Sequence, residues 1–267
     1  MKLALYSDLH IEFKPIMLSP GDAEVVAVVG DVLPIRAGNA VHWLAEQIPD
    51  RPVLFVPGNH DYYGGNVVDA HAAWRKAAKG TQVSVLINDA ITLGGVRFLG
   101  TPLYSDLSLP SRWPRGLLEQ MVERNISDFM TMRRSPALAA QGRWRVQDMV
   151  EACTQARAFL DAELPPVDAP GPAPVVLTHW APSVRSCAPQ FLGDDLNPYF
   201  LVPCEDLVAR AQAWLHGHVH NPCHYRVGAR ADRGDTWCNP RGYVYRDGRQ
   251  ERPGVYAPLM LELTSLA

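Results

Sequence analysis

Three stretches of the chain are apolar almost without interruption, and each stops abruptly at acids, amides and imidazoles. Leu3-Ala4-Leu5-Tyr6 runs into Ser7-Asp8-Leu9-His10, Val25-Val26-Ala27-Val28-Val29 into Gly30-Asp31, and Val53-Leu54-Phe55-Val56 into Pro57-Gly58-Asn59-His60-Asp61. An unbroken, β-branched run is the pattern of a strand covered on both faces, because a half-exposed strand would alternate with polar residues. Ala40 to Gln47 lies between the second and third runs and has room for a helix with Val41, Leu44 and Ala45 on one face. The arrangement predicts an α/β chain with a βαβ unit, whose crossover is expected to be right-handed.

Further along, Val67, His71, Trp74 and Ala78 recur at helical spacing before Gly80, which places His71 on a helix face. Val83–Ile87, Ile91–Leu93 and Val96–Leu99, with Gly94-Gly95 as a hairpin turn, predict that the same sheet continues with an antiparallel pair. From about Tyr104 to Leu164 the pattern turns helical, with Leu118, Met121, Val122 and Phe129 in one segment and Val146, Met149, Val150, Cys153 and Leu160 in another. We read 1–267 as one domain with a cap-like helical insertion at about 104–164. The insertion carries Arg112, Arg115, Arg124, Arg133, Arg134, Arg143 and Arg145, which suit either a cap beside an anionic substrate or solvated helix faces. A stiff connector rich in proline, Pro165 to Pro174, returns the chain to strand at Val175-Val176-Leu177-Thr178, followed by His179-Trp180.

In 267 residues, 47% are apolar and 20% charged, as in a globular chain with a sizeable core, and a net charge of −3 excludes a global basic field for nonspecific nucleic-acid binding. A local basic groove stays open. The five cysteines have no C-x-x-C pair, and neither a signal-peptide apolar region nor a membrane span is evident. A reducing cytoplasmic location is therefore expected, with no protein partner implied.

The remaining motif is His216-Gly217-His218-Val219-His220. Residues two apart on an extended backbone share a side, so His218 and His220 can face one point. Alone, such a tract also fits a polar strand face or an adventitious chelator. It keeps company, however, with Asp8, His10, Asp31, Asn59, His60 and His179, each following an expected strand, and the carboxyl edge of an α/β sheet is where ligand sites form. Imidazole, carboxylate and amide oxygen together suit Mn²⁺, Fe²⁺, Zn²⁺ or Ni²⁺. Seven candidate ligands from this set are too many for one metal ion and about right for two.

Asp8-Leu9-His10, Gly30-Asp31, Gly58-Asn59-His60-Asp61, Thr178-His179 and Gly217-His218-Val219-His220 resemble the five ordered motifs of the calcineurin-like metallophosphoesterase superfamily. The resemblance implies two packed mixed β-sheets flanked by helices, an αββα sandwich. It implies that Asp8, His10 and His220 bind one divalent metal, that Asn59, His179 and His218 bind another, and that Asp31 bridges them. His60 would be the catalytic residue that stabilises the transition state or protonates the leaving oxygen. The implied activity is direct hydrolysis of a small phosphorylated substrate by a hydroxide bridging the metals. Arg36, Arg241 and Trp180 are candidates for substrate binding, the arginines as donors to phosphate and Trp180 as an apolar wall. Each has a plain alternative, surface arginine or packing residue.

The chain departs from the family where Pro34 replaces an acid that orients the catalytic histidine in several branches, so Asp61 or a backbone carbonyl is expected to hold His60. Gly58-Asn59-His60-Asp61 resembles diesterase branches and inclines the reading to phosphodiesters or nucleotides. A phosphomonoesterase, a pyrophosphate-cleaving enzyme, a nuclease and, from another class, a non-catalytic metal-binding scaffold are the alternatives.

Overall fold

The computed structural model describes residues 1–134 and 142–264, so part of the expected insertion, at 135–141, lies outside the described residues. The apolar runs form β1 (Lys2–Tyr6), β2 (Val25–Val29) and β3 (Val53–Val56), which pair in parallel. With β4 (Val83–Val85) and the late strand β11 (Leu259–Glu262), antiparallel to β1, they make a five-stranded sheet of order β11-β1-β2-β3-β4. The second sheet has six strands in the order β5-β6-β7-β8-β10-β9. Its members are β5 (Asp89–Leu93), β6 (Val96–Thr101), β7 (Val175–Thr178), β8 (Ala213–His216), β9 (Cys223–Arg226) and β10 (Asp235–Cys238). Both sheets mix parallel and antiparallel pairs.

The continuous apolar runs are explained by two different burials. Leu3, Leu5, Val25, Ala27, Val29, Leu54 and Val56 meet Phe98, Val175, Leu177 and Leu215 of the other sheet. Their neighbours Ala4, Val26, Val28 and Phe55 point the opposite way, under α1 (Ala40–Gln47) and α2 (Val67–Ala78), where Val41, Leu44 and Trp74 cover them. One correction concerns the hairpin. β4 is the edge of the first sheet, and the β5-β6 hairpin opens the second. The switch occurs at Leu86 to Asn88, where the Leu86 side chain drops between the sheets and Asn88 turns the chain at φ 56°.

The segment expected as an insertion begins irregularly and then forms α3 (Arg115–Asn125), α4 (Asp128–Thr131) and α5 (Val146–Glu163). α5 buries Val146, Met149, Cys153, Ala156 and Leu160, and it packs on β6 as an outer layer of the second sheet. Two short helices, α6 (Asn197–Phe200) and α7 (Glu205–Val208), follow β7. The proline-rich connector is tied down by the buried Arg233, which donates to the carbonyls of Pro166 at 2.8 Å and Ala169 at 2.6 Å. Among the described residues, no helix is long and apolar enough to cross a membrane.

Candidate metal centre

The carboxyl ends of β1, β2 and β3 in one sheet and of β7 and β8 in the other converge on one point, and the chain is strained where they do so. Asp8, His10, Asp31, His218 and His220 all have positive φ, between 44° and 72°. Side chains rarely adopt that region outside glycine, with Asp, Asn and His the most tolerant, and clusters of such residues mark sites where orientation matters more than local stability. The close approach also requires glycine at position 58, because a Cβ there would lie 2.2 Å from Asp31 Oδ1. Backbone bonds lace the loops together: Asp8 N–H donates to Gly30 O at 3.0 Å and His10 N–H to Asp31 O at 2.9 Å. Asp61 is the buried knot. Its carboxylate accepts from the N–H groups of Gly58, Asp31, Val32 and Leu33 at 2.8–2.9 Å. Burial, and then the Asp31 charge, push its pKa up to about 7 against the pull of those N–H bonds.

The polar atoms brought together form two groups that share Asp31. On one side, Asp8, His10, Asp31 and His220 offer ligand atoms all within 4.8 Å of one another. His10 Nε2 stands 3.1 Å from His220 Nε2 and 3.6 Å from Asp31 Oδ2, and His220 Nε2 stands 3.5 Å from Asp8 Oδ1. On the other side, His179 Nε2 lies 3.3 Å from the same Asp31 Oδ2 and 3.2 Å from Asn59 Oδ1. Neighbouring ligands on a cation at ordinary metal–nitrogen distances are roughly 3.0–3.4 Å apart, so the spacings suit cations. Two buried atoms sharpen the fit: Asp8 Oδ2 and His218 Nε2 have no hydrogen-bond partner in a place where an unpaired polar atom is costly. The ring nitrogens are also oriented from behind. His179 Nδ1 donates to Val29 O at 2.8 Å, and His220 Nδ1 lies 2.6 Å from Glu251 Oε2, which turns each Nε2 toward the centre.

The electrostatics point the same way. Burial alone would push His179 and His220 down, but Asp31 on the first and Asp8 with Glu251 on the second lift them to about 9 and about 10. Burial opposes ionisation of Asp8 and Asp31, yet the surrounding imidazoles hold both carboxyls below their usual range. The carboxylates of Asp8, Asp31 and Glu251 thus set up a field that favours positive charge at the imidazoles, and a divalent cation that displaces the ring protons would answer the same field. The donor set therefore fits divalent cations, which Asp8, His10 and His220 on one side and Asn59, His179 and His218 on the other, around Asp31, would hold.

His60 stands at the edge of this centre, and Asp61 does not hold its ring. Asp61 is fully engaged by backbone N–H groups, whereas the His60 ring stacks on Tyr63 with centroids 4.3 Å apart. Its Nε2 lies 3.2 Å from the Tyr243 hydroxyl and its Nδ1 3.8 Å from Glu12 Oε1. Burial pulls the imidazole pKa down, but Asp31 and Glu12 raise it overall. Glu12 continues the alternation of Asp8 and His10, a signal that could have been read. Tyr243 and Glu251, far along the chain, had none.

A cleft of about 480 Å³ opens from the centre. Its walls include Ile126, Ala188, Phe191, Leu196, Phe200 and Val219, with Asp128, Asp194 and Glu251 as the acids outside the metal-facing set. No lysine or arginine lines it among the described residues. Of the two readings of the insertion's arginines, this favours the solvated faces: Arg112 pairs with Asp195, Arg115 with Glu119, Arg134 with Asp148 and Arg145 with Glu123. Arg36 borders a neighbouring groove with Glu12 and Phe13. Arg241 is buried and donates to the carbonyls of Leu9 and Lys14 at 2.6 and 2.7 Å, so its guanidinium staples the β1 loop. Trp180 is wholly buried behind His218, with ring centroids 4.4 Å apart and its indole N–H on Tyr199 O.

The insertion contributes a carboxylate instead. Asp128 is buried, and its Oδ1 accepts from Asn59 Nδ2 at 2.9 Å and the Tyr63 hydroxyl at 2.7 Å, while Oδ2 accepts from the Tyr199 hydroxyl. With its Nδ2 committed in this way, Asn59 turns Oδ1 toward His179.

The family model for calcineurin-like phosphoesterases matches residues 1–222. No curated protein sequence matches the chain. Among solved structures, that of phosphopantetheinyl hydrolase (PptH) from Mycobacterium tuberculosis is similar, with 17% identity and a TM-score of 0.68 over 97% of this chain and 95% of that one. This is a likeness of fold. A second solved structure, at 12% identity and a TM-score of 0.48 over 90% of this chain and 92% of its own, is too distant to argue from.

Proposed function

Because the chain belongs to the calcineurin-like phosphoesterase family and is thus a metal-dependent phosphoester hydrolase, we propose that it cleaves a phosphodiester whose organic arm is uncharged and partly apolar. The observation that carries this reading is the cleft wall, which pairs apolar side chains with acids and offers no lysine or arginine among the described residues. A second anionic group on the substrate would face Asp194 and Glu251 unpaired, so the scissile phosphate is the single charge the site accommodates. Nucleoside polyphosphates and pyrophosphates fit poorly for that reason. A phosphopantetheinyl ester, the group named for the similar Mycobacterium enzyme, has a suitable arm of amides, a hydroxyl and a gem-dimethyl carbon. Asn125, Ser127 and Asn197 on the wall can bond such groups.

In this reading Asp8, His10 and His220 hold one divalent cation, Asn59, His179 and His218 hold the second, and Asp31 serves both. Bound there, the cations supply Lewis acidity toward phosphate oxygens and water. The chain's own groups do the rest. His60 carries its proton at Nε2, beside the Tyr243 hydroxyl, and delivers it to the leaving oxygen, while Glu12 and the Tyr63 ring keep the imidazole in place. Ile126, Phe191 and Phe200 exclude water from the arm. The five cysteines are free thiols, which supports placing the protein in a reducing compartment.

The test is a substrate panel on protein reconstituted with Mn²⁺: a 4′-phosphopantetheinyl diester, bis(p-nitrophenyl) phosphate, p-nitrophenyl phosphate and ADP-ribose. We expect kcat/KM to be highest for diesters with an uncharged arm. A preference for ADP-ribose would overturn the assignment of the cleft, and a preference for the monoester would replace the diesterase reading with a phosphatase.

A further inference from the structure

One cluster of nucleophilic side chains lies outside the metal centre. In the antiparallel pair β9-β10, Cys223 stands directly opposite Cys238, and Cys238 is in register with His216 of β8 on its other side. Directly opposed residues of antiparallel strands have Cα atoms about 4.5–5.5 Å apart, inside the roughly 4.4–6.8 Å that a disulfide bridges. Their side chains emerge on the same face, so the two sulfurs can meet with little backbone movement. Both are free thiols in the structure.

The two are not equivalent. Cys223 is half-buried and reachable from solvent, whereas Cys238 is buried, 3% exposed. Polar groups surround Cys223: His216 Nε2 lies 3.7 Å from its sulfur, and the Ser186 hydroxyl, itself 2.9 Å from that nitrogen and 2.8 Å from the Tyr225 hydroxyl, closes the group. We propose that Cys223 and Cys238 are a thiol–disulfide couple in which Cys223 is the site of oxidation by hydroperoxides and Cys238 is the resolving thiol.

The surroundings favour the thiolate at Cys223, since a hydrogen bond from the Cys238 thiol, followed by His216 and Ser186, outweighs burial and pushes its pKa down to about 4. A thiolate held in this way is the form that attacks an oxidant. The Cys223 sulfur attacks a peroxide oxygen, so an S–O bond forms, the O–O bond breaks and the alkoxide leaves as the alcohol after taking a proton. Sulfur loses two electrons and the peroxide gains them. Cys238 then gives up its proton and attacks the sulfenic sulfur; the S–S bond forms, the S–O bond breaks, and hydroxide leaves with that proton as water. In sum, two thiols and one hydroperoxide yield a disulfide, an alcohol and water.

The couple sits at the root of a loop that reaches the metal centre. Directly after Cys238 the chain passes through Asn239 and Pro240; Arg241 N–H donates to Ser7 O at 3.0 Å, Gly242 N–H donates to Asp8 O at 3.1 Å, and Tyr243 meets His60.

The experiment treats the full, Mn²⁺-loaded chain with equimolar cumene hydroperoxide and maps thiols and crosslinked peptides by mass spectrometry without reductant. Cys187 serves as the internal control, because it is similarly exposed, has its pKa raised by burial and then by Asp194, and has no opposed cysteine. We expect Cys223 to be consumed about tenfold or more faster than Cys187, a Cys223–Cys238 crosslink that dithiothreitol reverses, and a dimedone-trapped sulfenic acid at Cys223 in Cys238→Ser. Equal consumption of Cys223 and Cys187 in the wild type, or a crosslink joining Cys223 to any other cysteine, would overturn the proposal even if the variant failed to fold.

Discussion

Asp128 offers the sharpest perturbation, because its carboxylate is the link between the insertion and the metal-facing amide. Replacing it with Asn keeps the shape but removes an acceptor from a site where the Asn59 amide, Tyr63 and Tyr199 all donate. If the new amide turns its NH₂ toward Asn59, two donors oppose each other, and Asn59 relieves this by flipping, which presents Nδ2 in place of Oδ1 to the cation it is proposed to bind. Losing a partner of this kind costs a metal site about 10–100-fold in affinity, or about 1.4–2.7 kcal/mol. Stability should fall as well, by about 1–3 kcal/mol for each buried donor left without an acceptor, so Asp128→Ala should be worse than Asp128→Asn. The assay is calorimetric titration of the metal-free proteins with Mn²⁺, with circular dichroism to show that the variants are folded. One of the two sites should weaken in Asp128→Asn while the other keeps its wild-type affinity. Wild-type affinity at both sites in a folded Asp128→Asn protein would refute the link.

His60→Ala should retain both metals by elemental analysis yet lose about 10²–10⁴ in kcat; unchanged turnover would remove the proton-donor role. Burial, followed by repulsion from Arg75, depresses His71 to about 4, and its Nε2 pairs with the Tyr62 hydroxyl. The folded pKa thus lies below the ordinary value of about 6.5, the unfolded chain binds the proton more readily, and this contribution is complete above about pH 6.5 and is lost as pH falls toward 4. Its full size is about 3 kcal/mol, so the stability gap between wild type and His71→Gln in urea should narrow over that window; a gap independent of pH would refute the assignment. Removing metals with a chelator should lower the Tm, and Mn²⁺ should restore it, with a stabilisation that grows as the logarithm of its free concentration once that exceeds the Kd; an unchanged melt would argue against occupancy of the strained centre.

The strands that bear the centre were legible because their runs are buried on both faces, and the candidate metal-facing residues sit one to four positions beyond a strand end, within reach of local pattern. The change of sheet at Leu86 to Asn88 was not legible, since it depends on which sheet edge accepts the β5-β6 hairpin rather than on the hairpin's own residues. β9 and β10 are short and carry His224, Arg226 and Asp235 on one face, so their composition hides them. The arginines of the insertion show the limit of charge as a guide: their partners Asp195 and Glu123 lie 83 and 22 residues away. Asp128 had no signal because its role depends on Asn59, 69 positions earlier. Arg241 and Trp180 stood beside real motifs, but tertiary packing turned the first onto carbonyls and the second behind His218.

Most of the cleft wall is made of segments that belong to no strand, residues 125–128 and 187–201, while the candidate metal-facing groups all follow strand ends. Such a division lets a lineage exchange its wall for another and acquire a new substrate with its hydrolytic chemistry intact. Asp128 sets the condition on that exchange, because the wall segment that shapes the cleft also carries the anion on which Asn59 leans. A replacement loop that fits the new substrate but lacks a carboxylate at that point would have to find the Asn59 amide another anchor.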